Sequence, residues 1–211
     1  MQTHPELAAS VQKGLENFSE SKILPTCERL QDALKGISIR RGSTVVVHAL
    51  PASGGYTLLS LLLVEPSLEG IYSAVLGLGD YNFSLAAHLG ADLSRVVTID
   101  PKLKFSEREL AQAAFALLDG FGVVVISGGI ASLNSPRFSA KARQKGATLV
   151  VVENSSSLQG ISYRIKADLR LFVARSSWRL SNSVSSGILT EGEITVQVLG
   201  RMEHRPGRQA S

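Results

Sequence analysis

The segment HALPASGGYTLL, residues 48–59, has the outline of a phosphate-binding loop but lacks its charged group. A loop of the form G-x-x-x-x-G-K-[ST] closes a strand and opens a helix, and its lysine neutralises the phosphates. Here Tyr56 stands in place of the lysine and Leu50 in place of the first glycine. The pattern predicts a strand-to-helix turn with a vestigial phosphate loop and no bound cofactor. The loop residues are Pro51, Gly54, Gly55, Tyr56 and Thr57.

Phosphoryl transfer also needs a magnesium ligand and a residue that positions water. Tyr56 keeps its phenolic proton at pH 7, so it cannot supply the charge of a lysine. Ser127, which follows the apolar run VVVI, is a poor ligand for a hard cation. Asp80 is the only acid in the segment LGLGDYNFS. We expect no catalytic residue, no metal and no enzymatic activity. Anion binding at the helix N-terminus without hydrolysis stays open as an alternative, and so does an ordinary turn of an α/β fold.

Length and composition predict one α/β domain. The 211 residues are 44% hydrophobic and 19% charged, which is enough to bury a core. Cys27 is the only cysteine, so no internal disulfide forms. The first residues lack a basic start followed by an apolar stretch, and no run approaches the roughly 18 apolar residues of a membrane helix. We expect a cytoplasmic protein.

Strands and helices alternate along most of the chain. STVVVHAL predicts a buried strand, and TLLSLLLV predicts a buried helix that stops at Glu65 and Pro66. SERELAQAAFALLDG predicts a helix with a capping box of Ser106 and Glu109. The same pattern predicts four more strands (IYSAVLGLG, RVVTI, VVVI and ATLVVVE) and two more helices (NFSLAAHLG and SPRFSAKARQKG). Such alternation is typical of a mostly parallel, twisted sheet with helices on both faces. The apolar face of the capped helix is predicted to comprise Leu110, Ala113, Ala114 and Leu117.

Beyond Gly160 the pattern changes, because ADLRLFVAR and GEITVQVLG have no helix between them. This predicts antiparallel strands at the C-terminal edge of the sheet. The Ser-rich stretch 176–187 is read as a hairpin or a loosely ordered loop, and residues 201–211 as a basic flexible tail.

Basic residues concentrate in residues 120–190, which contain nine Lys and Arg against two Asp and Glu. Such a cluster attracts DNA phosphates or an acidic protein surface, although a solvated set of loops and helix faces explains it equally well. The candidates for weak DNA binding are Arg137, Lys141, Arg143, Lys145 and Arg164.

The order of these segments resembles the RecA core over roughly residues 23–203. ILPTCERLQDALKGISIRRGSTVVVHALPASGGYTLLSLLL is similar to its start. FGVVVISGGIASL is similar to the strand that ends in the magnesium-holding aspartate, and GATLVVVENSSSLQG to the strand before the second DNA-binding loop. The resemblance implies a RecA-like core domain over 23–200 and an N-terminal helical arm over 1–22. In the loop ENSSSLQG it implies DNA contact, but the segment lacks aromatic and basic residues, so a surface loop is the simpler interpretation.

Among RecA-like proteins with altered nucleotide motifs, the chain is most similar to the actinobacterial ImuA-type accessory protein of inducible mutagenesis. That resemblance implies a non-catalytic role in the SOS response and translesion synthesis, in complex with an inactive Y-family polymerase homologue. Through that partner it implies contact with the sliding clamp and an error-prone C-family polymerase. A SulA-like inhibitor of cell division, a modulator of RecA filaments and a residual NTPase are the alternatives.

On this interpretation the functional surfaces are contacts with partners. The N-terminal arm carries an apolar stripe that either packs on a neighbouring molecule or on its own domain. Trp178 lies between two arginines, and Trp and Arg are typical interface anchors, although a lone Trp is as often part of a core. The candidate partner-binding residues are Leu7, Val11, Leu15, Phe18, Arg175, Trp178, Arg179, Arg201 and Arg205.

Overall fold

The computed structural model describes residues 22–49, 53–99, 105–129, 133, 135–154, 165–180 and 189–200, with the backbone alone at residues 154, 174–180, 189–193 and 200. Within these residues the chain is α/β, as the sequence predicts. The predicted N-terminal arm, apart from Lys22, and the predicted tail lie outside the described residues.

In the described ranges, five helices and a 3-10 turn connect or flank the strands. The helices are α1 (Glu28–Ala33), α2 (Gly55–Leu68), α3 (Phe83–His88), α4 (Glu107–Leu117) and α5 (Pro136–Lys145), and the 3-10 turn is Leu93–Arg95. Helix α1 was not among the elements predicted from the sequence. Its prediction that α2 stops at Glu65 and Pro66 is wrong, because α2 includes Pro66 and ends at Leu68. Pro66 removes one backbone donor from α2, and the burial of nearly the whole helix in the core offsets that loss.

The seven described strands form one sheet in the order β3-β2-β4-β5-β1-β6-β7. All neighbouring pairs from β3 to β6 are parallel, and β7 runs antiparallel to β6. The predicted mostly parallel sheet with antiparallel C-terminal strands is therefore confirmed. The strands are β1 (Thr44–Ala49), β2 (Ser73–Leu76), β3 (Val96–Thr98), β4 (Val123–Ser127), β5 (Thr148–Asn154), β6 (Leu169–Leu180) and β7 (Leu189–Gly200).

The central strands are apolar on both sides because helices cover both faces of the sheet. One core contains Val45, Val47 and most of α2, together with residues of α1 and α3. The other contains Val46 and Val151, packed against α4 and α5. This explains why β1 is buried along its whole length and why α2 is apolar on nearly every side.

Helix α4 begins as predicted but is rotated slightly from the predicted face. Ser106 Oγ accepts a hydrogen bond from the N–H of Glu109, and the Glu109 carboxylate accepts one from the N–H of Ser106, which completes the capping box. The buried residues of α4 are Ala111 and Ala114, whereas Leu110, Ala113 and Leu117 are half-buried. Small side chains therefore face the sheet, and the leucines flank the contact.

Part of the Ser-rich stretch 176–187 belongs to a strand. Residues Ser176–Leu180 belong to β6, and residues 181–187 lie outside the described part. Strand β1 pairs with β6 as far as Val173, while β6 and β7 continue to pair as far as Leu180. We call the part of β6 and β7 beyond Val173 the two-stranded extension. At about 3.3 Å per residue, its seven β6 residues span about 23 Å.

Candidate functional site

The ends of β1, β4 and β5 lie side by side and form the carboxyl edge of the sheet, which is where α/β folds usually bind ligands. The segment predicted to be a vestigial phosphate loop connects β1 to α2 at this edge. Leu50 and Pro51 lie outside the described residues, whereas Gly54, Gly55, Tyr56 and Thr57 are described. The predicted strand-to-helix turn is therefore present.

The two glycines of the turn have separate structural roles. Gly54 precedes α2 with φ of 92°, a conformation that side chains other than glycine rarely adopt. Gly55 is the first residue of α2, and a Cβ placed on it would lie 2.2 Å from the Cβ of Ala49. The absence of a side chain at Gly55 therefore lets the helix start close to the end of β1.

Tyr56, at the position of the missing lysine, packs against the apolar core. Its ring is half-buried and meets the ring of Tyr81 edge-on, with 5.7 Å between centroids and 82° between planes. The Tyr81 hydroxyl lies 2.8 Å from Ser60 Oγ, and burial raises the pKa of Tyr81. Neutral aromatic packing at the first turns of α2 thus occupies the place where a phosphate loop has its cation.

The two other candidate positions for nucleotide chemistry, Ser127 and Asp80, differ in exposure. Ser127 ends β4 and is half-buried, whereas Asp80 is exposed in the segment after β2. The described residues contain no group of three or more His, Cys, Asp or Glu side chains that could hold a metal ion. Thr57 is half-buried in the first turn of α2.

A buried polar cluster at the carboxyl edge was not predicted from the sequence. His48 is only 3% exposed, and its Nδ1 lies 3.1 Å from Oε2 of Glu153, which is 12% exposed. Its Nε2 lies 3.2 Å from Nη1 of Arg170, and its ring stacks on Phe172 with 4.6 Å between centroids. Arg170 also donates through Nη2 to the carbonyl of Ile165. The cluster joins β5, β1 and β6 on the face covered by α4 and α5.

His48 contacts a charged side chain through each ring nitrogen. A guanidinium only donates hydrogen bonds, so Nε2 of His48 accepts from Arg170, while Nδ1 lies 3.1 Å from the Glu153 carboxylate. The imidazole therefore lies between a carboxylate and a guanidinium, and the contacts link three strands. The sequence signal that could have revealed it is a polar residue at the end of each of two apolar strand runs, VVVH at residues 45–48 and VVVE at residues 150–153.

Gly128 makes room for this cluster. Its N–H donates to the carbonyl of Val152 over 2.8 Å, and a Cβ on Gly128 would lie 2.6 Å from Cγ of Glu153. The backbone after β4 therefore packs directly on the Glu153 side chain. This close approach keeps the carboxylate turned towards His48.

The predicted DNA-binding residues do not form one free basic surface. Lys141 and Lys145 both contact Asp119, at 2.7 and 3.1 Å, and this holds the pKa of Asp119 below its ordinary value. Arg143 lies 3.5 Å from Asp168. Arg137 is exposed and has no ion pair among the described residues, and Arg164 lies outside them.

The candidate partner-binding residues divide between described and undescribed parts. Arg175, Trp178 and Arg179 lie in the two-stranded extension, where Trp178 is opposite Gly192. The other candidates lie outside the described residues, namely Leu7, Val11, Leu15, Phe18, Arg201 and Arg205. The helices of the described chain are too short or too polar to cross a bilayer.

Comparisons with known proteins place most of this domain in a family. The sequence model of the MT3502 N-terminal domain matches residues 32–157, from α1 to just beyond β5. A protein of Mycobacterium tuberculosis described as "Uncharacterized protein Rv3395c" is 33% identical over 119 residues, which cover 54% of this chain and 55% of that protein. The matched stretch thus spans about half the length of that relative. The family match contains the turn, His48 and Glu153.

Proposed function

This chain belongs to the family of the MT3502 N-terminal domain, and from the turn that the matched region contains we propose that the protein is non-catalytic and acts through contacts with other proteins. The observation that carries this proposal is the packing of Tyr56 against the core beside Tyr81. A neutral ring held there cannot compensate phosphate charge, and charge compensation is central to phosphoryl transfer. The strand-to-helix turn serves the packing of α2 on β1.

The proposed biological role is that of an accessory protein in DNA-damage-induced mutagenesis. It rests on the resemblance of the sequence to RecA-like, ImuA-type proteins, since the descriptions of the matched family and relative name no activity. A parallel central sheet with an antiparallel C-terminal pair supports the resemblance. The proposed partner is an inactive Y-family polymerase homologue, which in turn contacts the sliding clamp and an error-prone C-family polymerase.

The two-stranded extension is the proposed contact surface for that partner. Beyond Val173 the extension is no longer paired with β1, so its backbone is not part of the central sheet. It contains Trp178 with Arg175 and Arg179 nearby in sequence, and such residues dominate many interfaces.

Affinity capture of the tagged full chain from its own cells after DNA damage tests the role, with mass spectrometry of the eluate. We expect a Y-family polymerase homologue in the eluate. The amount recovered should fall at least tenfold with Trp178→Ala and stay unchanged with Leu68→Ala. Leu68 is a matched control because it is 60% exposed, at the far end of α2. Recovery of a tubulin-like division protein or of RecA without the polymerase homologue contradicts the proposal and favours an alternative role.

Nucleotide addition tests the non-catalytic part separately. Ligand that binds the folded state raises stability by about 2.7 kcal/mol when present at 100 times its Kd. We expect no change in melting temperature and no turnover with millimolar Mg-ATP. A clear upward shift in melting temperature contradicts the proposal that the loop is vestigial.

Weak DNA binding is also part of the proposal. Because Lys141, Lys145 and Arg143 already contact carboxylates, few of the candidate cations are free to contact phosphates. Binding to single-stranded DNA should then decline with salt, with a slope near −0.7 for each phosphate contact. An affinity that does not change with salt contradicts this mode of binding.

A further inference from the structure

A groove of about 630 Å³ separates α4 from α5 on the outer side of the helix layer. Its floor is apolar, with Ala111 and Phe138 buried and Phe115 half-buried. The rings of Phe115 and Phe138 meet edge-on, with 5.3 Å between centroids. The groove lies away from the vestigial loop, on the face opposite to α2.

The α4 side of the groove follows a single helical face. Its residues recur at spacings of three and four, and α4 with its 11 residues is about 16 Å long, or three turns. A trough of this length matches a partner helix of about three turns. The lining residues of α4 are Arg108, Ala111, Gln112, Phe115 and Ala116, and Asp119 lines the groove just beyond the end of the helix.

The charge of the groove is positive. Three cations, Arg108, Arg137 and Lys141, line it against one carboxylate, Asp119, a net charge of +2. Lys141 is committed within the molecule, because its Nζ lies 2.7 Å from Asp119 and 4.1 Å from the centroid of the Phe115 ring. Arg108 and Arg137 are exposed and have no ion pair with a described residue. Two cations are therefore available at the rim.

The position of Arg137 adds to this potential. It is the second residue of α5, where the helix dipole is positive, and the first turn of α5 has no acidic residue. A cation at this end is unfavourable within the isolated helix. An acidic group supplied from outside would relieve that repulsion, because it would interact with both the guanidinium and the helix end.

We propose that the groove between α4 and α5 is a docking surface for an acidic amphipathic helix of a partner protein. Apolar side chains of that helix cover Phe115 and Phe138, and its Asp or Glu side chains pair with Arg108 and Arg137. The polar lining groups at the mouth are exposed, which fits a helix laid along the groove better than a small molecule enclosed by buried polar groups. The inference deepens the proposed function and rests only on its protein-binding part.

Site-specific photo-crosslinking in the protein's own cells tests the docking surface. A photoreactive amino acid replaces Gln112, an exposed residue of the groove, in the full chain. The control position is Gln144, also exposed but on α5 outside the groove lining. We expect a crosslink at position 112 to a segment with apolar residues at i, i+3 or i+4, and i+7 and with flanking Asp or Glu. The sequence of the crosslinked segment, determined by mass spectrometry, decides the outcome.

Two further variants define the chemistry of the contact. The pair Arg108→Glu and Arg137→Glu should reduce the crosslink at least tenfold, whereas Arg29→Glu with Arg40→Glu, the same charge change on exposed residues elsewhere, should leave it unchanged. Ala116→Trp fills the groove from an exposed position, so it should block docking without altering the fold. A peptide with the crosslinked sequence should bind the purified full chain with a Kd raised at least tenfold by either groove variant.

Several results would overturn the inference. One is a crosslink at position 112 that is no stronger than the crosslink at position 144. The others are a crosslink to a basic or non-amphipathic segment, to nucleic acid, to a second copy of the protein or to another part of the same chain. If the polymerase homologue is still captured by the Arg108→Glu and Arg137→Glu variant and no crosslink forms, only the groove assignment fails. If an acidic helix of a different protein crosslinks, the groove assignment holds, and the proposed polymerase partner fails only if the homologue is also absent from the affinity capture.

Discussion

Substitution of Gly55 by alanine tests whether this glycine is required for the packing of α2 on β1. The new Cβ would lie 2.2 Å from the Cβ of Ala49, whereas ordinary contact begins at 3.4 Å. Ala49 cannot move easily, because β1 is hydrogen-bonded to β5 on one side and to β6 on the other. Overpacking of this kind costs about 1–3 kcal/mol, and the size of the clash places the expected loss near the upper end, at about 3 kcal/mol.

A double-mutant cycle separates this clash from other effects. Ala49→Gly alone should cost about 0.5–1 kcal/mol. In the double variant the nearest atom is Cα of Ala49, at 3.4 Å, so Gly55→Ala should be tolerated. The free energy of unfolding in urea should show a favourable coupling of about 2–3 kcal/mol between the two substitutions.

Gly120→Ala is the matched control, since a Cβ there meets no atom within 4 Å. Its free energy of unfolding should change by no more than about 0.5 kcal/mol. If Gly55→Ala is no less stable than this control, or if Ala49→Gly does not restore stability, the packing argument for the retained glycine is refuted.

Three other predictions concern the capping box and the buried cluster. Ser106→Ala should cost about 1 kcal/mol in urea unfolding, because α4 loses its cap. Hydrogen bonds from the Ser106 side chain and backbone lower the pKa of Glu109. The contribution of Glu109 to folding stability is therefore complete above its unfolded-state pKa and is lost as pH falls through its folded-state pKa. Carboxyl titration by NMR should give a Glu109 midpoint that rises in Ser106→Ala, and an unchanged midpoint contradicts this. Glu153→Ala should cost about 1.5–3 kcal/mol because the buried His48 loses a charged partner, whereas the exposed Glu28→Ala should change stability by less than about 0.5 kcal/mol. Equal stability of the two Glu variants would show that the buried contact contributes nothing.

The local elements of the fold were predictable because their signals lie within a few residues. The capping box of α4 needs only Ser106 and Glu109, three residues apart, and the turn after β1 needs only its glycines. The rule that failed was also local. Pro66 predicted a helix end, but the packing of α2 in the core extends the helix through it to Leu68.

Electrostatic surfaces were less predictable, because sequence charge does not show which charges meet. Lys141 and Lys145 belong to the basic stretch 120–190, yet both contact Asp119, which immediately precedes that stretch. The groove between α4 and α5 likewise depends on how two helices from separate crossovers lie on one face of the sheet. Among the described DNA-binding candidates, only Arg137 has no ion pair with another described residue.

The amino-acid sequence by itself determined the α/β class, the parallel core with antiparallel C-terminal strands, and a strand-to-helix turn without the lysine of a phosphate loop. These follow from short-range periodicity, capping and turn chemistry. The tertiary structure alone decided that His48 meets Glu153 and Arg170. Both partners lie more than 100 positions from His48 along the chain, and they lie 17 positions from each other. Strand order and register bring such residues together, and they are set by the burial of whole elements against each other, which no short segment encodes.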